Sequence, residues 1–185
     1  MIIKKEFYFI RHGQTDQNLS PLKLDHSDIP LNMTGRQQAI GVKGIIASLP
    51  IQTICCSPLR RAKETKELVA SSLSAQYFEV ANLSECSAQE WKEMTTIGKE
   101  AYLSHQEPVK SFMQRVVKGV NEALSQPGPV LIVAHGGIHW AMCCYMNVEH
   151  EWAIGNCIPV HFTLGEGGQW RAKKLVVGHS NAEFR

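Results

Sequence analysis

The sequence predicts an α/β fold, a three-layer αβα sandwich around a largely parallel sheet. Short apolar runs alternate with helix-patterned segments along the chain, and this alternation is typical of a parallel sheet covered by helices on both faces. The length of 185 residues and a hydrophobic fraction of 44% suit one domain with a sizeable core. We therefore expect a single domain over residues 1–185, with one small insertion.

Four short apolar runs are the candidate parallel strands, because each is bounded by polar or turn-forming residues. In chain order they are residues 7–10, 51–56, 76–80 and 130–134. Two later runs, residues 158–164 and 169–177, flank the sequence Gly-Glu-Gly-Gly and predict a C-terminal β-hairpin.

Helical segments separate these strands. Asn32 is a candidate N-cap for a helix that ends near Leu49, and Ser57 followed by Pro58 predicts the start of the next helix. Apolar residues at helical spacing predict a third helix over residues 109–125, and a further helix follows the fourth strand. Residues 84–108 are polar and irregular, with helical patches, and we expect residues 86–108 to form a small cap over the pocket.

Composition excludes several classes of protein. The net charge of +2, from 19 basic and 17 acidic residues, is not that of a nucleic-acid-binding protein. No apolar run is long enough to span a membrane, and residues 1–6 do not open a signal peptide. The six cysteines form no CxxC pair, which favours buried reduced thiols and a cytoplasmic location.

Chemically active side chains follow the four parallel strands. Because ligands bind at the carboxyl ends of parallel strands, these side chains should converge at one edge of the sheet. They are Arg11 and His12, Arg60 and Arg61, Glu85, and His135.

This set suits phosphoryl transfer. Arginine binds phosphate oxygens with a planar fork, and a neutral imidazole can attack phosphorus. A second imidazole can donate a hydrogen bond to the phosphoryl group. A protonated carboxyl group can give its proton to the leaving oxygen.

The same segments resemble the motifs of the histidine phosphatase superfamily, also called phosphoglycerate-mutase-like. RHGQTDQN is similar to the family's RHG-x-T-x-x-N signature, and the other similar segments follow in the family's order. They are PLNMTGRQQA, SPLRRAKET, LSECSAQEW, VAHGGI and GNC, so that the resemblance covers residues 7–157.

The resemblance implies a role for each matching residue. His12 would be the nucleophile that becomes phosphohistidine, and Glu85 would be the general acid. Arg61, which precedes the motif's alanine, would enter the site, whereas Arg60 would face solvent or substrate. The phosphate ligands would be Arg11, Asn18, Arg61, His135 and Gly136. The family uses no metal or other cofactor, and the partner would be a small phosphorylated molecule.

Three positions depart from the small phosphatases of the family. Ser84, Cys86 and Gln89 stand where those enzymes usually have arginine, an apolar residue and glycine. These differences leave Glu90 as a second candidate for the acid, and they prevent any transfer of substrate specificity. Trp91 is compatible with either cap packing or substrate contact.

Alternative functions also fit parts of the sequence. His135 and His139 have the i, i+4 spacing of a metal pair, but no glutamate follows His135, so we expect His139 to pack or to line the pocket.

A phosphoglycerate mutase is less favoured, because only 49 residues separate Glu85 from His135. A phospholigand-binding protein without turnover is the alternative from another class. The sequence predicts neither the natural substrate nor the oligomeric state.

Overall fold

The sheet has the predicted α/β organisation. The computed structural model describes residues 1–19, 28–149 and 154–176, and within them six strands form one sheet in the order β3-β2-β4-β1-β5-β6. The strands are β1 (Phe7–Arg11), β2 (Thr53–Cys56), β3 (Gln76–Glu79), β4 (Val130–Ala134), β5 (Pro159–Leu164) and β6 (Trp170–Lys174).

Strand direction divides this sheet into two parts. β1, β2, β3 and β4 pair in parallel, whereas β5 runs antiparallel to both β1 and β6. The predicted C-terminal hairpin is therefore confirmed as β5–β6, which extends the parallel sheet at one edge. Val177, the last residue of the predicted hairpin, lies outside the described residues.

Helices cover both faces of the sheet. They are α1 (Met33–Ala47), α2 (Arg60–Val69), α3 (Ala88–Ile97), α4 (Val109–Leu124) and α5 (Gly136–Met146), with short 3-10 turns at Asp16–Leu19, Ala81–Leu83 and Gly98–Leu103. Val42 of α1 and Ala62 of α2 belong to one apolar core, and Val116 of α4 and Ile138 of α5 belong to the other. Neighbouring residues of β2 point to opposite cores, since Cys55 is buried in one and Cys56 in the other.

The two predicted helix starts have different outcomes. Asn32 is the N-cap of α1, and its side-chain oxygen accepts a hydrogen bond from the backbone N–H of Gly35 at 2.9 Å. The prediction for Ser57 and Pro58 is wrong, because α2 begins at Arg60 with Leu59 in the N-cap position. The Ser57 hydroxyl instead lies 2.7 Å from Nε2 of His135, at the end of the adjacent strand β4.

The segment 86–108 contains more regular structure than its composition indicates. α3 begins with a reciprocal capping box in which Ser87 and Glu90 each accept from the other's backbone N–H. The Trp91 ring packs edge-on against the ring of Trp140 on α5, with centroids 6.3 Å apart. Among the described residues, no helix combines the length and the apolar character needed to cross a membrane.

Candidate active site

A pocket of about 200 Å³ opens at the carboxyl ends of the parallel strands. It collects predicted residues from three separate segments, since Arg11 ends β1 and His12 follows it, Arg61 lies on α2 after β2, and Glu85 follows β3. The ring of His135, which follows β4, has its centroid 5.2 Å from that of His12. The topology therefore produces the convergence that the sequence predicts.

The imidazole of His12 is held in a defined tautomer. Its Nδ1 lies 2.7 Å from the carbonyl oxygen of Gly13, and a carbonyl can only accept a hydrogen bond, so Nδ1 carries the proton. The lone pair of the neutral ring is then on Nε2, which accepts a hydrogen bond from Nε of Arg61 at 3.3 Å. Burial, followed by the charges of Arg11 and Arg61, lowers the pKa of His12 well below its usual value.

The backbone around His12 is fixed by side chains from α1, from α2 and from the turn before β5. The His12 carbonyl accepts from Nδ2 of Asn156 at 2.8 Å, and the Gly13 N–H donates to Oγ1 of Thr65 at 3.0 Å. The next N–H, that of Gln14, donates to Oε1 of Gln38 at 2.9 Å. These contacts position the imidazole.

Glycine permits the close approach of this loop to α1. A Cβ atom on Gly13 would lie 2.4 Å from the carbonyl oxygen of Gly35, and one on Gly35 would lie 2.1 Å from the carbonyl oxygen of Gln14. Both distances are far below a van der Waals contact. The glycines of two separate motifs, RHG and GRQQA, therefore form one backbone-to-backbone contact.

Two arginines border the imidazole. Nη1 of Arg11 donates to the carbonyl of Ile154 at 2.6 Å, and its buried Nε has no hydrogen-bond partner among the described residues. Arg61 is only 9% exposed, and burial lowers its pKa. Arg60 points away and forms an ion pair with Glu64 at 2.8 Å, with its side chain 57% exposed. The structure thus places Arg61, and not Arg60, in the pocket.

His135 is fully buried at the start of α5. Its Nε2 contacts the Ser57 hydroxyl at 2.7 Å, and its Nδ1 has no hydrogen-bond partner among the described residues. Burial lowers the pKa of His135 well below its usual value, and the neighbouring His12, Arg61 and Arg11 contribute in the same direction. The ring is therefore neutral at pH 7, with one nitrogen able to donate.

Glu85 also lines the pocket. Its Oε1 accepts hydrogen bonds from the backbone N–H groups of Cys86 at 2.9 Å and Gly137 at 3.0 Å. A Cβ atom on Gly137 would lie 2.4 Å from this oxygen, so the contact requires glycine. Glu90 does not line the pocket, and its carboxylate is used in the capping box of α3.

Asn18 lines the pocket, and Gly136 lies beside Arg11, which also lines it. Oδ1 of Asn18 accepts from the Thr15 N–H at 2.9 Å, which leaves its amide nitrogen as the group that could donate to a ligand. Gly136 is the first residue of α5, and a Cβ atom there would lie 3.6 Å from Cζ of Arg11. Its backbone is therefore in contact range of an arginine that borders the pocket.

Comparison with known proteins assigns the family. The sequence model of the histidine phosphatase superfamily (branch 1) matches residues 7–176. The chain belongs to this superfamily. Its sequence is 32% identical over 135 residues to the uncharacterized phosphatase PhoE of Bacillus subtilis, a match that covers 69% of each chain. It is 26% identical over 149 residues to the adenosylcobalamin/α-ribazole phosphatase of Salmonella typhimurium, covering 71% of this chain and 74% of that protein.

Solved structures have the same fold. The crystal structure of a putative α-ribazole-5'-P phosphatase from Escherichia coli superimposes with a TM-score of 0.68 over 95% of this chain and 97% of that chain, at 20% identity. The α/β architecture with a mostly parallel sheet is thus that of a histidine phosphatase.

A second cavity, about 370 Å³, lies against α5 in this member of the superfamily. His139 and Cys143 line it, with Lys99 and Glu149 nearby, and the His139 ring packs 5.2 Å from that of Phe9. His139 thus lines this cavity and not the pocket that contains His12. Within the described parts of the chain, no three His, Cys, Asp or Glu side chains are grouped as a metal site.

Several side chains hold the backbone around the site, and sequence reasoning does not single them out. Gln38, Thr65 and Asn156 lie inside the family motifs but carry no reactive group, and their contacts with the His12 loop explain their presence there. Arg115 of α4 lies outside every motif. Its guanidinium donates to backbone carbonyls beside Glu85, and no local pattern in the sequence indicates this.

Proposed function

We propose that this protein is a metal-independent phosphatase that hydrolyses a phosphomonoester through a phosphohistidine on His12. The observation that carries the proposal is the tautomer of His12, since the Gly13 carbonyl leaves the lone pair on Nε2, beside Arg61 in the pocket. Family membership and the phosphatase relatives support this assignment.

The first step transfers the phosphoryl group to the enzyme. Nε2 of His12 attacks phosphorus and forms the N–P bond while the bond from phosphorus to the ester oxygen breaks. The carboxyl group of Glu85 gives its proton to that oxygen, so that the alcohol leaves neutral.

The second step releases phosphate. The carboxylate of Glu85 takes a proton from a water molecule, and the water oxygen attacks phosphorus as the N–P bond breaks. His12 returns to its neutral form, and Glu85 is again protonated for the next turnover. Every proton that leaves the acid in the first step is thus recovered in the second.

The remaining residues stabilise the charge of the phosphoryl oxygens. Arg11 and Arg61 are the permanent cations of the site, and desolvation in the pocket strengthens their attraction to the phosphoryl group. The proton on neutral His135, the amide nitrogen of Asn18 and the backbone of Gly136 are further donors. Burial, together with these cations, lowers the pKa of His12 and keeps the ring unprotonated, which a nucleophile requires.

The substrate is a small phosphorylated molecule in this proposal, because the pocket of about 200 Å³ accommodates a phosphoryl group and a small part of its leaving group. We also infer that residues 86–108 act as a cap next to the leaving group, since Cys86 lines the pocket. The six buried cysteines, none of them in a disulfide, support a cytoplasmic location.

Trapping of the phosphoenzyme tests the mechanism. The parent should turn over p-nitrophenyl phosphate in EDTA and, when quenched, carry a phosphoryl group that is labile in acid and stable in alkali. His12→Ala should lose the adduct and nearly all activity, whereas His161→Ala, on β5 and outside both the pocket and the cap, should retain both. An acid-stable adduct, or His12→Ala activity within tenfold of the parent, would contradict the proposal.

A further inference from the structure

Arg115 lies on α4, outside the catalytic pocket, and holds the backbone of the segment that carries Glu85. Its Nη1 donates to the carbonyl of Ser84 at 2.6 Å and to that of Asn82 at 3.3 Å. Its Nη2 donates to the carbonyl of Glu85 itself at 3.2 Å. One guanidinium therefore satisfies three carbonyls within four residues, a pattern that suits the planar fork of arginine.

Two other residues on the same face of α4 contact this segment. Gly119, one turn after Arg115, lets the helix approach so closely that a Cβ atom there would lie 2.8 Å from the carbonyl carbon of Asn82. Glu122 then accepts from Nδ2 of Asn82 at 3.3 Å. The i, i+4, i+7 spacing places all three on one stripe of the helix, which we call the α4 clamp: Arg115, Gly119 and Glu122.

Glu85 is thereby fixed at both ends. The α4 clamp holds its backbone, and the N–H groups of Cys86 and Gly137 hold its carboxyl group. Gly137 belongs to α5, so two different helices determine where the carboxyl oxygen lies. Proton transfer depends steeply on such placement, because an acid must be within hydrogen-bond reach of the leaving oxygen.

We propose that Arg115 is a positioning residue for the general acid, and that the α4 clamp keeps the Glu85 carboxyl group at the leaving oxygen. This inference rests on the proposed phosphatase function. Without the guanidinium, three carbonyls lose their partner and the backbone of residues 82–85 relaxes toward water. The nucleophile and both phosphate-binding arginines stay in place, because none of them contacts Arg115 by hydrogen bond among the described residues.

The dependence of rate on the leaving group separates this role from a merely structural one. An acid matters more for a basic leaving group, so loss of the acid affects phenyl phosphate more than p-nitrophenyl phosphate. We expect Arg115→Met to lower kcat/KM for phenyl phosphate about tenfold to a hundredfold more than for p-nitrophenyl phosphate. Glu85→Gln should show a larger difference between the losses on the two substrates. Adding Arg115→Met to Glu85→Gln should not increase that difference further.

Lys118→Met is the matched control, because Lys118 is an exposed cation on the same helix. It should keep the parent's ratio of the two rates. If Arg115→Met does not fold, Arg115→Lys replaces it, since an ammonium group keeps the charge but cannot reproduce the planar fork. We expect Arg115→Lys to show a smaller extra loss of kcat/KM on phenyl phosphate than Arg115→Met, measured with the same two substrates.

The outcomes distinguish a failure of the proposed function from a failure of this inference. A parent without turnover or phosphoenzyme would overturn the proposed function and the inference with it. The inference alone would be overturned by a different set of results. In that set the parent is active, Glu85→Gln loses more activity on phenyl phosphate than on p-nitrophenyl phosphate, and a folded Arg115 variant keeps the parent's ratio of the two kcat/KM values. An equal loss on both substrates in that variant would also overturn it, because Arg115 would then support the whole site and not the acid.

Discussion

At the residue scale, the adjacent Arg60 and Arg61 differ in burial and in hydrogen-bond partner. Arg61 is buried against His12, whereas Arg60 is exposed and paired with Glu64. Buried charge-assisted hydrogen bonds contribute about 1.5–3 kcal/mol each. We expect Arg61→Ala to lower kcat/KM on p-nitrophenyl phosphate roughly tenfold to a few hundredfold.

Arg60→Ala is the matched control for this prediction. It removes one positive charge at the neighbouring position. We expect kcat/KM to stay within about threefold of the parent, because the exposed ion pair of Arg60 with Glu64 contributes little to stability. Steady-state kinetics of the two variants decide the matter. A larger loss in Arg60→Ala would mean that the assignment of the two side chains is reversed.

At the element scale, the contact between α1 and the loop after β1 depends on glycine. Gly35→Ala places a methyl group against the carbonyl of Gln14, so the helix and the loop must separate. We expect the free energy of unfolding to fall by about 1–3 kcal/mol, with a loss of activity because the loop carries His12.

Gly41→Ala in the same helix provides the comparison. Gly41 is exposed, and no atom lies within 4 Å of the place that an added methyl group would take, so alanine should stabilise α1 by about 0.5–1 kcal/mol and leave activity unchanged. Denaturant unfolding followed by circular dichroism measures both effects. Equal stability of the two variants would disprove the role given to Gly35.

The elements also show which features the sequence can predict. Strand positions, the α1 cap and the hairpin follow from local patterns, and they agree with the structure. The local pattern at Ser57 predicts a cap, whereas its hydroxyl contacts His135, 78 residues away in sequence. The role of Arg115 could not be predicted for the same reason. Its partners are backbone carbonyls about 30 residues away in sequence, and no motif includes both. Local propensity does not encode such long-range partners.

At the scale of the whole molecule, two buried neutral histidines link stability to pH. The pKa values of His12 and His135 lie well below the ordinary value of 6.5 in the folded state. Below about pH 6.5 the unfolded chain binds protons at these rings before the folded protein does, so stability falls as pH decreases and is insensitive to these rings above that pH. Each unit of pKa depression corresponds to about 1.4 kcal/mol.

We therefore expect His135→Gln to lose less stability than the parent between about pH 7.5 and about pH 5.5, a window that spans the ordinary histidine pKa. Glutamine does not titrate, so the variant lacks one of the two proton-linked contributions, whatever its stability at neutral pH. The free energy of unfolding at the two pH values measures the difference. An identical loss in the parent and the variant would contradict the linkage, and exposed His105→Gln supplies the control.

The buried cysteines can be used to measure local opening of this protein by thiol labelling. Cys55, Cys143 and Cys144 are buried on one side of the sheet, and Cys56 and Cys157 on the other, while Cys86 lies at the pocket wall. Burial raises the pKa of each of them. A thiol reagent therefore reacts with the fully buried Cys55, Cys56 and Cys157 only when the surrounding structure opens, whereas it can reach Cys86 from the pocket. The labelling rates of Cys55 on one side of the sheet and of Cys56 and Cys157 on the other would therefore report the opening of each layer separately, without an engineered cysteine.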